Sequence, residues 1–454
     1  MEKTGFLIDT ERPRVLILYK RFGKSTPMRN KTVLWTALAM LLTTASAWAY
    51  TWDGFDFHGF LDQGYIATDK NNFLANSKDG TFHLTDAAFN VRRQINDKLS
   101  VGAQVFTYRD GDFGALNRPM IDWAYVDYRW QDWLGVRAGK VKASVGLYGD
   151  TLDLQMTRPF VFLPMSNYNP LYREIENAVW GGSVYGDVPV HKFGSLDYSI
   201  EVGMLGIGDE GGAAESTMQS LPFNTDHSSN NYCVNEQVIW NTPYKGLKLE
   251  EICVYVNRID GTGLFKDQAE LAELIPPLNG LAAYAPLFTG ANSRLQLTDT
   301  WNATLGAEYQ VDKWTFAAEY MRQWQDLSTS VNSPYATTFG LDTNKGTISD
   351  GFYLSAVRQI TSKLDLGAYY CLSFSNVRDR TGATLAATGD QSYHGFSKDL
   401  ALSACYKIKP WWLVKAEGHV INGTSYLVNV TDNQPWSDTS RYWLMGVLQT
   451  TLFF

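Results

Sequence analysis

The chain has 454 residues, 19% of them charged, and a formal net charge of −8. That acidic balance argues against a nucleic-acid partner, whose phosphates call for a basic face. Aromatic residues make up 14% of the chain (25 Tyr, 23 Phe and 15 Trp), a heavy load for a soluble domain but one suited to the two aromatic girdles of a membrane barrel.

Residues 28–49 read as an export signal. Arg29 and Lys31 precede an apolar run from Val33 to Leu42, and small residues then lead to Ala47-Trp48-Ala49, an A-x-A-like cleavage site. The apolar run is about half as long as a membrane-spanning helix needs, so a cleaved signal peptide is expected rather than an anchor. Residues 1–27 fit no element and read as an upstream extension ahead of the true start. Residues 1–49 carry eight Lys/Arg and three Asp/Glu, which leaves 31 basic and 44 acidic residues and a net charge of −13 for residues 50–454.

After residue 49 no apolar run approaches the roughly twenty residues of a transmembrane helix. Short stretches with a period of two take its place. Leu134 to Lys140 alternates, and then the pattern stops for about forty residues. Further on, Leu305, Ala307, Tyr309 and Val311 alternate with Thr304, Gly306, Glu308 and Gln310; after Asp312-Lys313, Trp314, Phe316, Ala318 and Tyr320 resume the pattern. Leu364 to Leu372 behaves likewise, as do Leu400 to Ile408 and Trp412 to Gly418. The chain ends in Tyr442, Leu444, Gly446, Leu448, Thr450, Leu452 and Phe454 on one face. Mid-strand charges such as Glu308, Glu319, Lys415 and Glu417 fall on the other face, which in a pore would line water.

The connections alternate in length. Short turns fall at Asn96–Lys98, Gln131–Trp133, His191–Gly194, Pro243–Gly246, Asp312–Lys313, Thr361–Lys363 and Lys409–Pro410. Long ones fall near 69–80, 110–119, 141–178, 206–230, 260–297, 325–350, 375–397 and 422–439. Trp133, Trp314, Trp411 and Trp412 gather at the short turns, where an interfacial girdle belongs. The expectation is an all-β chain: a transmembrane antiparallel β-barrel spanning residues 50–454, of about sixteen strands with eighteen possible. The third long connection, 141–178, follows the fifth strand and is expected to fold into the lumen.

The residues from Arg137 to Pro164 also resemble a known family. Gly139-Lys140-Val141-Lys142 at a strand end, Gly146-Leu147-Tyr148, Thr151 with Asp153, Thr157-Arg158-Pro159 and Leu163-Pro164 look like the Gram-negative outer-membrane porins of the phosphate-selective and general porin-like group. The rest of the barrel resembles that group in pattern only. The resemblance implies a sixteen-stranded, trimeric outer-membrane channel narrowed by the loop after strand five. It further implies contact with outer-membrane lipid and lipopolysaccharide, delivery by the barrel-assembly machinery through the C-terminal Phe454, and passage of small hydrophilic solutes or ions.

Phosphate selectivity does not carry over, because it needs basic residues with few competing acids at the constriction. Here Lys142, Arg158 and Arg173 share the loop with Asp150, Asp153, Glu174 and Glu176. Together with Arg92, Arg137 and Lys140 on the wall, these charges predict a mixed constriction with a transverse field: bases on one side, loop acids on the other. The alternatives are rim arginines for Arg92 and Arg137, a salt bridge pinning the loop to the wall for Arg158, and plain solvated charges for the acids. Pro159, Pro164 and Pro170 stiffen the loop, and its Val161 to Pro164 run has the alternative of packing on a neighbouring subunit.

Cys233 and Cys253 lie about one turn, Cys371 and Cys405 about one loop. Export permits disulfides, although cross-strand bridging strains their geometry. With no C-x-x-C and no His/Cys cluster, neither metal nor cofactor is expected. A barrel lipase would need a Ser, a His and a carboxylate or amide together at the outer rim. None of the six histidines has a serine elbow beside it, and His419 shares the lumen parity of Lys415 and Glu417, so no enzyme is expected. A surface receptor or adhesin using the loops at 206–230 and 260–297 is the other alternative.

Overall fold

In the computed structural model, residues 50–114, 116, 118–207, 212–213, 221–272, 274, 278–427 and 434–454 are described. The expected extension and signal segment, 1–49, lie outside the described residues. Among the described residues, eighteen strands form one antiparallel sheet. They are β1 (Tyr50–Trp52), β2 (Phe55–Thr68), β3 (Thr81–Gln94), β4 (Leu99–Asp110), β5 (Met120–Gln131), β6 (Leu134–Lys142), β7 (Ala178–Pro189), β8 (Ser195–Leu205) and β9 (His227–Asn230). β10 (Cys233–Asn241), β11 (Leu247–Leu264), β12 (Asn292–Val311), β13 (Trp314–Val331), β14 (Thr343–Gln359), β15 (Leu364–Phe374), β16 (Phe396–Lys409), β17 (Trp412–Gly423) and β18 (Tyr442–Phe453) complete it.

β18 pairs back onto β2, with Phe453 opposite Phe60 and Leu448 opposite Tyr65, and this closes the wall. Gly59 and the terminal Phe454 exchange backbone hydrogen bonds at 3.2 and 3.0 Å. Closure matters because an open sheet edge would leave backbone groups unsatisfied in hydrocarbon. Two strands do not add to the count. β1 folds back on the start of β2, and β9 continues the line of β10 along the upper part of β11. Sixteen strands close the barrel. All the short turns of the sequence reading are present, and they lie on the side of the barrel where β2 begins and β18 ends.

The alternation places apolar side chains outward. Leu305, Leu402, Val420 and Leu448 are each 58–60% exposed, while their strand neighbours Thr304, Ala401, Ile421 and Val447 are buried. Such a band is stable only against lipid. Near the short turns it is edged by Trp133, Trp240, Tyr309 and Tyr406, and toward the long loops by Trp180, Trp301, Trp324 and Tyr442, all exposed. Trp411 and Trp412 stack at 6.2 Å beside their turn.

The ladder runs further than the hydrophobic pattern on one side. β12 spans 20 residues and β13 spans 18, so the connections expected at 260–297 and 325–350 shrink to 265–291 and 332–342. The extra rungs carry Asp260, Arg294, Gln296, Ser328 and Thr329. Polar residues on both faces mark a sheet that has left the membrane, where alternation no longer reports pairing. Beyond it, Phe223, Phe265, Leu271, Phe288, Val331 and Leu341 pack the loops into a small apolar cap.

All four cysteines are free. Cys233 stands opposite Val256, and Cys253 opposite Glu236; Cys371 faces Asp399, and Cys405 faces Asp365. Symmetry about a turn in sequence is therefore offset by several rungs in register, and neither suggested bridge forms.

Candidate functional site

The segment between β6 and β7, residues 143–177, enters the barrel and lies against one part of its inner wall. It has no long element of its own: three 3-10 turns (Gly149–Thr151, Gln155–Thr157, Pro170–Tyr172) and one five-residue helix, Arg173–Asn177. Its apolar run does not seek a neighbouring subunit. Phe160, Val161, Phe162, Leu163 and Met165 are buried in one cluster with Phe73, Tyr353, Tyr369, Ile421, Trp443 and Met445, all inward-facing or on the first loop. Four side chains from Phe160 to Leu163 at about 1.5–3 kcal/mol each give an upper figure of roughly 6–12 kcal/mol for seating the loop.

Polar contacts fix where it sits. Glu417 on β17 accepts from the backbone N–H groups of Val161 at 2.8 Å and Phe162 at 2.9 Å. Lys415 donates to Gln155 Oε1 at 2.6 Å and to the Phe160 carbonyl at 2.8 Å. Ser403 on β16 donates to the Pro159 carbonyl. Further along, Glu319 on β13 accepts from Leu147 N–H at 3.0 Å and from the hydroxyls of Tyr168 and Tyr353 at 2.5 Å. His419 rests between Asp399 and Glu417 at 3.0 and 3.1 Å, fully buried. Two glycines make room for this approach. A Cβ at Gly351 would stand 2.2 Å from the Ser166 carbonyl, and one at Gly367 would press on the Phe160 ring at 2.7 Å. Glu319, Lys415 and Glu417, read from sequence as lining water, are instead 1–5% exposed beneath the loop. Parity revealed that they point inward but not that a loop covers them.

The loop's own charges are also used internally. Arg173 binds Asp153 with two hydrogen bonds of 2.7 Å and Asp122 on β5 with one of 2.8 Å, its guanidinium 3.8 Å over the Phe106 ring. Burial alone would lower the guanidinium's affinity for its proton, but the two carboxylates raise it well above the ordinary value. Burial would likewise raise Asp153, and Arg173 overrides it and holds that carboxyl below the usual range. Arg158 is buried and donates to the carbonyls of Thr151 and Leu152 at 2.7 and 2.8 Å. It braces the loop against itself rather than forming the wall salt bridge. Glu174 accepts from the Tyr108 hydroxyl at 2.5 Å, and Lys142 donates to the Asp150 carbonyl at 3.1 Å, leaving the Asp150 side chain exposed.

On the wall, Arg137 lies 4.1 Å over Tyr185 and 3.5 Å from Asp127. Arg92 is exposed on the inner parity, while Arg93 turns outward over Phe55. Lys140 departs from the expected basic wall. The same alternation that turns Arg137 inward turns Lys140 outward, where it pairs with Trp180, donates to the Ile121 carbonyl at 2.8 Å and lies over that outward-facing ring.

Opposite the seated loop is a cavity of about 450 Å³. Its loop side is formed by Met165, Asn167, Asn169, Tyr172 and Glu176, and its wall side by residues of β8 and β10–β15. Of the charges expected at a constriction, Glu176 alone lines it, so the transverse field is not assembled there. Burial pushes the Glu176 carboxyl up to about 8; even with the solvent contact it keeps in the cavity, it is held toward its neutral form.

A scan against protein-family models matches none, and a search of curated proteins finds no relative. Among solved structures, the outer-membrane channel DcaP of Acinetobacter baumannii aligns at a TM-score of 0.51 and 12% identity, over 89% of this chain and 99% of that one. The fold is that of an outer-membrane porin. The anion-selective porin of Comamonas acidovorans (TM-score 0.49, 9% identity, 88% of this chain and 99% of that one) and Salmonella typhi OmpF in complex with daunomycin (0.49, 14%, 88% and 97%) are also similar. With its closed wall and lipid-facing band, this porin-like chain is an integral outer-membrane barrel.

Proposed function

We propose that this barrel is a passive diffusion channel for small hydrophilic solutes and ions, narrowed by the inward loop. The seating of residues 143–177 carries the reading. The loop is fastened along β13–β17, and a cavity remains between its other face and β8 and β10–β15. A plug would fill the cross-section. A segment pinned to one side of a barrel narrows it. A homotrimer, contact with lipid and lipopolysaccharide, and delivery through Phe454 belong to the same reading. Purified protein reconstituted in a planar bilayer should give stepwise, long-lived openings. Folded, inserted barrels that carry no current would contradict it.

A further inference from the structure

The lining of the cavity is short of charge and rich in amides. Asn167, Asn169, Asn235, Asn302, Gln323 and Gln325 all face it, and among the described lining residues there is no lysine or arginine. Two of the amides are buried and incompletely bonded. Asn167 is 7% exposed, and its Nδ2 has no hydrogen-bond partner in the chain; Asn235 is 3% exposed, and its Oδ1 has none. Those two atoms are closed off from solvent, but the amides along the lining offer a passing solute donors and acceptors that carry no charge. The lining also carries apolar residues, Ile252, Val254 and Met165 among them.

The acids that reach the cavity are each offset. Asp260 accepts from Arg258, Arg294 and Gln296 at 2.6, 2.7 and 2.8 Å. Asp350 accepts from Arg322 at 2.7 Å, from Tyr320 at 3.0 Å, and from Arg380. Glu176 is held toward its protonated form by burial. Each aspartate is thus bound by two arginines that are not themselves on the lining, so a cation leaving its hydration shell meets no free carboxylate there and an anion meets no lining lysine or arginine.

We infer that the passage favours uncharged, polyhydroxylated solutes of sugar size over ions of the same size. This rests on the diffusion-channel reading above. Such solutes carry hydroxyls that both donate to and accept from the lining amides, and the C–H faces of a sugar ring suit the apolar residues beside them.

The test is the initial rate of entry of radiolabelled glucose, glucuronate and glucosamine into proteoliposomes, three solutes that share one ring and differ in charge. Glucose should enter faster than both charged analogues, by about fivefold, the factor one hydrogen bond's worth of discrimination supplies. Asn235→Asp, nearly isosteric, should slow glucuronate further and bring glucosamine up toward glucose. Asn167→Asp, on the loop rather than the wall, serves the same purpose if the first variant does not give a folded, heat-modifiable barrel. Equal entry of all three sugars would overturn the inference while leaving the channel standing, as would an unchanged ratio in a folded Asp variant. Entry of none would overturn the channel itself.

Discussion

Replacing Glu417 by leucine removes the acceptor shared by the Val161 and Phe162 amides and exposes how the loop is held. Each of those hydrogen bonds is charge-assisted, and such bonds contribute about 1.5–3 kcal/mol. Some of that is returned because the variant no longer buries a carboxylate. A net loss of about 3 kcal/mol is reasonable, and it corresponds to roughly a hundredfold rise in local opening. It is smaller than the apolar seating of Phe160 to Leu163, estimated above at roughly 6–12 kcal/mol. The loop should therefore stay in the barrel and lose its register only around Pro159 to Leu163. Hydrogen exchange reads this directly, since the two amides in question are the reporters. Exchange in a peptide covering 159–164 should quicken by about two orders of magnitude, with the wall strands unchanged. Glu417→Gln, which keeps one acceptor, should fall between. Unchanged exchange in Glu417→Leu would refute the assignment of Glu417 as the anchor.

Arg173→Ala leaves Asp153 and Asp122 buried without their partner and should cost about 3–5 kcal/mol, seen as a lower thermal midpoint in detergent; a midpoint equal to wild type would show that the triad is not closed. Gly351→Val should push Ser166 away from β14 and raise open-channel noise, whereas quiet traces would argue against close approach. Between pH 7 and pH 9 the Glu176 carboxyl passes from mostly neutral to ionised, because its pKa is raised to about 8; cation preference should therefore rise with pH in wild type and stay flat in Glu176→Gln. Glu236 is exposed midway along β10, next to the outward Cys253, so Glu236→Leu should stabilise the barrel by about 1–2 kcal/mol if lipid covers that face, and a destabilised variant would point to a protein neighbour there.

The wall was legible because its cause is local. A lipid-facing side chain at every second position is written in strings such as Leu364 to Leu372, and the turns at Asp312-Lys313 and Lys409-Pro410 punctuate them. Legibility ended where two distant segments meet. Glu319, Lys415 and Glu417 read as water-lining because period two reports direction but not what lies in that direction. The loop's charges read as a field across the pore because sequence does not show that Arg173 reaches Asp122 and Asp153. The inward glycines Gly351 and Gly367 were the available signal that backbone approaches there. For Lys140 the signal lay in the alternation itself: three residues on from the inward Arg137, it shares the outward face of Val136 and Ala138 and pairs with Trp180.

The proposed conducting path runs between the seated loop and the β10–β14 wall. Single-channel conductance of Asn302→Trp, whose side chain would enter that space from β12, tests it most directly. Conductance should drop by about half or more relative to wild type, with the barrel still folded. A folded Asn302→Trp barrel with undiminished conductance would contradict it.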